Sequence, residues 1–343
     1  MELLSQIKNA HSKTVNTLFY IPHTHKLISG GSDGIIRLWE KGFFGQTKSV
    51  NFKGHKGIIL DISFLDNNSF FASTATDGQI ILREISNGKT IASVSSFKEF
   101  KNNLKVDIDS SEWAFLSIAH IPNTPKIIVL HAYYGLFIWN LQYGDIADFP
   151  SLELPLFGTE LVLAEKRNFI ITNSGKAIYI LNMDDGKIIR VFGGSPKGVR
   201  KGHNMLVTGE ENNIMSNSFE RMGGHKKDVT CFSLSPNERY LLSGSFDCNV
   251  HRWDISEPSN IEPKGVKIME GHQGAVTRVS FIPRSNLVAS CSVDGTVRLW
   301  DSEKCEEVLC KILNTPIYTM AVSPTGSELA VGCGNGSIYI FSL

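Results

Sequence analysis

Leu287-Val-Ala-Ser-Cys-Ser-Val-Asp-Gly-Thr-Val-Arg-Leu-Trp300 consists of two β-rich runs joined at Asp294-Gly295. Glycine tolerates the positive φ of a tight turn, and β-branched and aromatic neighbours fit a pleated surface, so the stretch predicts a β-hairpin. The outline recurs from Leu27 to Trp39, Phe71 to Arg83, Leu241 to Trp253 and Leu329 to Phe341. Upstream of each lies a segment with two-residue alternation that ends in proline or a turn residue, as in Val276 to Pro283, Val229 to Pro236 and Ile59 to Asp66. Proline cannot donate to a ladder, so these segments predict strands that turn at their ends. A variable fourth strand follows, as from Glu306 to Leu313. Four short antiparallel strands cannot bury both of their own faces, so each unit must stack on its neighbours.

A fixed spacing runs through the units. His11, His55, His225 and His272 are each followed twenty-two residues later by Asp33, Asp77, Asp247 and Asp294. Ser29, Ser73, Ser243 and Ser290 stand four residues before those aspartates, and Trp39, Trp253 and Trp300 stand six after. Arg83 takes the tryptophan position in the second unit. With Gly271-His272, Trp300-Asp301, Gly224-His225 and Trp253-Asp254, the pattern resembles the WD40 repeat family, whose Gly-His to Trp-Asp units form the blades of a β-propeller.

The resemblance implies an all-β chain, residues 1–343, folded as a single propeller of four-stranded antiparallel blades. Repeat units are expected at 11–40, 54–85, 113–141, 158–183, 194–222, 224–255, 271–301 and 314–343, which makes eight blades with a degenerate fifth. The alternative is seven blades with a hairpin inserted at 205–219, because about 40–45 residues per blade is usual. The last unit ends at its third strand, so Glu2 to Lys8 is expected to close the ring as the outer strand of that blade. The resemblance also implies that the recurring His, Ser, Asp and Trp form structural hydrogen-bonded tetrads. A hydrolase triad would be one tuned constellation, whereas this set appears four times, which argues against catalysis.

Lys plus Arg equals Asp plus Glu at 34 each, so no global field draws nucleic acid or an anionic membrane. Cys231, Cys248, Cys291, Cys305, Cys310 and Cys333 include no CxxC pair and predict reduced thiols. No stretch approaches the roughly 18 apolar residues of a membrane span, and a cytoplasmic or nuclear location is expected. His23-Thr-His25 lacks a cysteine or carboxylate cluster, and Gly332-Cys-Gly-Asn-Gly336 lacks the Lys-Ser/Thr of a P-loop, so no metal or cofactor is expected.

In WD40 proteins the common docking surface is the upper face, built from the loops before each first strand and the turns between second and third strands. The resemblance therefore makes Phe246, Val293, Lys13, Lys56, Lys226 and Lys227 candidate contacts for protein or peptide partners, and implies a scaffold or adaptor. An aromatic among lysines suits an acidic peptide that carries an apolar residue. The alternative reading is a phosphoinositide- or anion-binding propeller that acts at membranes through the basic segment 187–203, with Lys197, Arg200 and Lys201 as candidates. Val199-Arg-Lys-Gly202 is similar in part to the Phe-Arg-Arg-Gly motif of phosphoinositide-binding propellers, without the aromatic or the second arginine.

Overall fold

The alternation in the sequence becomes pleated sheet in the computed structural model, which describes residues 1–41, 47–65, 69–95, 115–131, 135–142, 146–148, 158–193, 224–256 and 266–343. These residues form seven four-stranded sheets. Blade 6 is representative, with Val276–Phe281, Leu287–Ser292, Thr296–Asp301 and Glu307–Ile312 in order from the inner to the outer strand. The inner strands of blades 1 to 7 are Val15–Tyr20, Ile59–Phe64, Phe115–Ile121, Leu161–Ala164, Val229–Leu234, Val276–Phe281 and Ile317–Val322. In six of them the register slips by one residue near the start, as between Val276 and Arg278. Such a bulge re-aims the extra residue, and Asn16, Leu60, Leu116, Thr230, Thr277 and Tyr318 line the central channel.

Leu3–Ile7 pairs antiparallel with Ile338–Ser342 and is the outer strand of blade 7. This closes the ring non-covalently and covers an edge that would otherwise be open to pairing.

Apolar cores lie between blades rather than within them. Seven clusters of buried side chains fill the seven interfaces, for example Ala289, Val297 and Leu299 of blade 6 against Ile317, Leu329 and Phe341 of blade 7. The expected eighth blade is corrected by one of them. Ile171, Ile178, Ile180 and Phe192 of blade 4 share a core with Val229, Phe232, Leu241 and Trp253 of blade 5, which leaves no place between them for another sheet. The ring is therefore seven-bladed, and the hairpin expected at 205–219 lies outside the described residues.

Close approach of blades sets local residue choice. A Cβ on Gly244 would stand 2.6 Å from Val276 of the next blade. Blade 4 has Asn173 at the matching position. Its side chain accepts from the Thr159 backbone N–H at 2.9 Å and donates to the Val229 carbonyl at 3.0 Å, crossing to blade 5 with hydrogen bonds.

Candidate functional site

The turn between second and third strands carries the aspartate, and the loop before the inner strand carries the histidine. The antiparallel register brings the two together. In blade 6, His272 Nδ1 is 3.1 Å from Asp294, His272 Nε2 is 2.7 Å from Ser290 Oγ, and Trp300 Nε1 donates to Ser290 Oγ at 2.8 Å. Blade 1 places His11 Nδ1 2.9 Å from Asp33 and His11 Nε2 2.7 Å from Ser29 Oγ, which also accepts from Trp39 Nε1 at 2.8 Å. In blade 5, His225 is 3.0 Å from Asp247 and 2.7 Å from Ser243, and Trp253 Nε1 donates to Ser243 Oγ at 2.8 Å. Blade 2 keeps His55 with Asp77 at 3.2 Å and Ser73 at 2.9 Å. Arg83 is buried in the tryptophan slot and donates through one guanidinium nitrogen to the Lys53 carbonyl at 3.0 Å, while its Nη1 has no partner.

The aspartates also accept backbone N–H groups, as from Lys56 to Asp77 at 2.7 Å and from Thr296 to Asp294 at 2.8 Å. Burial pushes the Asp33 carboxyl up, but hydrogen bonds from His11 and Arg37 outweigh it and bring it down to about 2. Asp77 and Asp294 are lowered on the same balance. Burial lowers His11 and His272 despite their aspartates, so both imidazoles are neutral at physiological pH. Each of these four sets is closed on itself by its own hydrogen bonds.

Blades 3, 4 and 7 depart from the pattern in different ways. The register gives blade 3 Val129 in the serine slot while Trp139 remains, and Trp139 Nε1 is buried without a partner. In blade 7 both positions are apolar, Val331 and Phe341. Blade 4 has Thr172 and Leu181, and the threonine hydroxyl donates to the Glu160 carbonyl at 2.9 Å.

A second polar system, with no repeat signature to reveal it, runs through the channel. Asp61, Ser117, Glu160 and Arg278 occupy equivalent register positions on the inner rims of blades 2, 3, 4 and 6. Asp61 accepts from Ser117 Oγ at 2.7 Å and from the Ile118 N–H at 3.0 Å. Ser117 Oγ in turn accepts from the Leu161 N–H at 3.1 Å. Glu160 takes the Phe232 N–H at 2.7 Å through one oxygen and the Arg278 guanidinium through the other. Burial raises the Asp61 carboxyl, and the charge of Arg278 opposes that rise. The belt ties blades 2 to 6 together. A cleft of about 440 Å³ runs from Asp61 and Glu160 of the belt to Phe19, Phe64, Pro122 and Leu163.

The upper face is fixed by backbone bonds from turn to loop: Thr76 N to Ile58 O at 2.9 Å, Phe246 N to Asp228 O at 3.0 Å, and Val293 N to Ala275 O at 3.1 Å. Phe246 is 52% exposed, and Lys13, Lys56, Lys226 and Lys227 are exposed on loops of this face. Val293 is half-buried. Ile58 and Tyr318, exposed at 40% and 41%, belong to the same side and escaped sequence reasoning. The signal at Tyr318 was its place after the inner-strand start, where the bulge re-aims it, whereas Ile58 stands in the loop just before its strand and has no such signal. Lys197, Arg200 and Lys201 lie outside the described residues. Among the described residues, no helix is long and apolar enough to cross a membrane.

Seven stacked four-stranded sheets with a recurring His–Ser–Asp set define a β-propeller repeat protein. The chain belongs to the WD40 family: the family described as WD domain, G-beta repeat matches residues 2–40, 46–83, 217–254, 263–301 and 307–342, more than half of the chain. The matched segments leave out 84–216, the stretch that holds blades 3 and 4. The chain is similar to the Denticleless protein homolog of Gallus gallus, with 24% identity over 290 residues that cover 75% of this chain and 37% of the relative. It is also similar to the Nuclear distribution protein PAC1 of Candida dubliniensis, with 24% identity over 267 residues, 72% of this chain and 53% of the relative. The chain thus spans about a third to a half of the length of these relatives. Among solved structures, the WD40 beta propeller domain of Doa1 aligns with a TM-score of 0.71 at 16% identity, over 99% of this chain and 96% of that one.

Proposed function

We propose that the protein is a scaffold or adaptor whose upper face binds an acidic peptide segment of a protein partner, in the cytoplasm or nucleus, and that it performs no catalysis of its own. The observation that carries this is Phe246, a large apolar side chain left 52% exposed at a turn whose neighbours Lys226 and Lys227 are also exposed. An exposed aromatic beside cations offers apolar contact area and charge complementarity to one ligand. The tetrads serve as the frame that holds these turns, because their polar atoms already satisfy one another. Membership in the WD40 family supports the reading, since propellers of this kind present many loops on a rigid disc.

Affinity capture with wild-type protein, followed by binding of the recovered partner's acidic segments, tests this. Phe246→Ala is expected to weaken binding about tenfold or more while leaving the thermal unfolding midpoint unchanged. Unchanged affinity in Phe246→Ala and in a Lys226→Glu, Lys227→Glu double variant would discard this face as the docking surface.

A further inference from the structure

Blade 5 differs from the other tetrad blades at one position. In blade 1 the third strand carries Arg37, whose guanidinium stands 2.6 Å from His11 Nδ1 and donates to Asp33 at 2.9 Å. Blade 6 has Arg298 at the matching register, and blade 2 has Ile81. Blade 5 has His251 there. Its ring stacks on His225 with centroids 3.7 Å apart and planes 16° from parallel. His251 is 2% exposed, and its Nδ1 is buried without a hydrogen-bond partner. A buried imidazole nitrogen with nothing to bond costs free energy, so its retention calls for an explanation.

We propose that His225, Asp247 and His251 form a site for one divalent ion of the zinc class. One ligand atom from each of the three lies within 4.8 Å of the others. His225 Nδ1 and Asp247 are 3.0 Å apart, and bonds of about 2.0–2.2 Å to one zinc ion would put two ligands roughly 3–3.5 Å apart. The third ligand is the unbonded His251 Nδ1. Flat stacking does not aim two lone pairs at one point, so the His251 ring must swing out of the stack as the ion enters. Its Nδ1 gives up no hydrogen bond in doing so.

Two imidazoles and a carboxylate are the donor types that suit zinc, and three protein ligands leave a fourth position for water. The supports around them are in place. Ser243 Oγ, 2.7 Å from His225 Nε2, holds that ring from behind, while the Lys226 and Asn249 N–H groups fix the Asp247 carboxylate at 2.7 and 3.0 Å. On binding, the His225 proton leaves Nδ1 and Nε2 takes one up by exchange with solvent, so the ring stays a neutral imidazole, its Nδ1 lone pair goes to the ion, and Nε2–H is donated to Ser243 Oγ. Entry is from the upper face, where Asp247 lies in the same turn as exposed Phe246.

The test uses the full chain, stripped with a chelator and titrated calorimetrically with Zn²⁺ at neutral pH, with Co²⁺ as a spectroscopic probe. One equivalent of zinc is expected to bind and to raise the unfolding midpoint, and cobalt is expected to show the visible absorption of a four- or five-coordinate site. His251→Arg, which restores the blade 1 arrangement, and His251→Phe, which keeps a stacked ring without ligand nitrogens, should each weaken binding about tenfold or more. The proposal is overturned if wild-type protein binds no stoichiometric zinc. Affinity preserved in a folded His251 variant would also overturn it, as surface His23 and His25 or another His–Asp pair would then be the site. A nearly colourless six-coordinate cobalt complex in wild type would do so even if both variants failed to fold.

Discussion

Blades 6 and 3 contain the same buried tryptophan, and only one of them uses its nitrogen. In blade 6 the indole of Trp300 donates to Ser290, and Ser290 meets His272. In blade 3 valine replaces the serine, and the Trp139 nitrogen is stranded. Blade 7 shows the balanced alternative, Val331 with Phe341, where donor and acceptor were lost together. Drift in a repeat is thus costly when it removes one half of a pair and cheap when it removes both. The drifted blades 3 and 4 are also where the channel belt attaches, through Ser117 and Glu160. Polar cross-linking has shifted from the blade interior to the channel wall on that arc.

Ser290→Val would impose the blade 3 defect on blade 6 and should have the largest effect. It strands Trp300 Nε1 and His272 Nε2 in the interior, at about 1–3 kcal/mol each, for roughly 2–6 kcal/mol in denaturant unfolding. Adding Trp300→Phe, as blade 7 does, should recover part of that loss. A double variant less stable than Ser290→Val alone would break the comparison.

Arg278→Met addresses the other arc and should cost somewhat less. It removes the cation that Glu160 pairs with and that opposes the rise of the Asp61 carboxyl. Breaking a fully buried pair costs about 3–5 kcal/mol, but Arg278 and Glu160 keep 19% and 14% exposure, so about 2–3 kcal/mol is expected. Glu160→Gln with Arg278→Met should be more stable than Arg278→Met alone. Limited proteolysis should then cut the single variant first around blades 3 and 4. Equal protection of all blades would show that the belt is not what secures that arc.

How much of this was legible in the sequence follows from periodicity. His11, Asp33, Ser29 and Trp39 could be placed together because the same interval recurs and a hairpin has one register that buries its apolar face. Blade number could not be settled that way, since Met205 to Phe219 imitates a hairpin in outline and only the shared core of Phe192 with Trp253 excludes a blade there. Asp61, Glu160 and Arg278 were invisible because a channel contact joins residues from different units, with no repeated spacing. His251 was hidden in a strand position that varies among Arg, Ile and His, and its meaning depends on which ring lies behind it.

Acid provides a gentler probe of the tetrad blades. His11 and His272 have their pKa values lowered by burial from the ordinary 6.5, so the unfolded chain binds more protons at these sites than the folded one. Their contribution is whole above pH 6.5 and is lost as pH falls below it. Asp33 acts lower down, because its carboxyl at about 2 adds stability above the ordinary 3.8 that disappears as pH drops toward 2. The unfolding midpoint should fall by about 2–4 °C between pH 7.5 and 5.5. Replacing both histidines with glutamine should reduce that slope, and the remainder comes from His131 and His251, which burial lowers to about 4 and about 3.

The smallest effect should be the most discriminating, because its sign runs against ordinary experience. Val129→Ser puts a hydroxyl into a fully buried site, a change that normally destabilises through lost apolar burial and an unsatisfied oxygen. Here the register places that oxygen where Ser290 stands relative to Trp300, within reach of the stranded Trp139 indole. The new hydrogen bond is worth about 1 kcal/mol and relieves an orphaned donor, offsetting the roughly 1–2 kcal/mol lost with two methyl groups. Stability within about 1 kcal/mol of wild type is therefore expected by denaturant unfolding, and Val129→Ala, which offers no acceptor, should be clearly less stable. If serine and alanine cost the same, the indole nitrogen gains nothing from an acceptor, and the contrast between blades 3 and 6 reduces to packing.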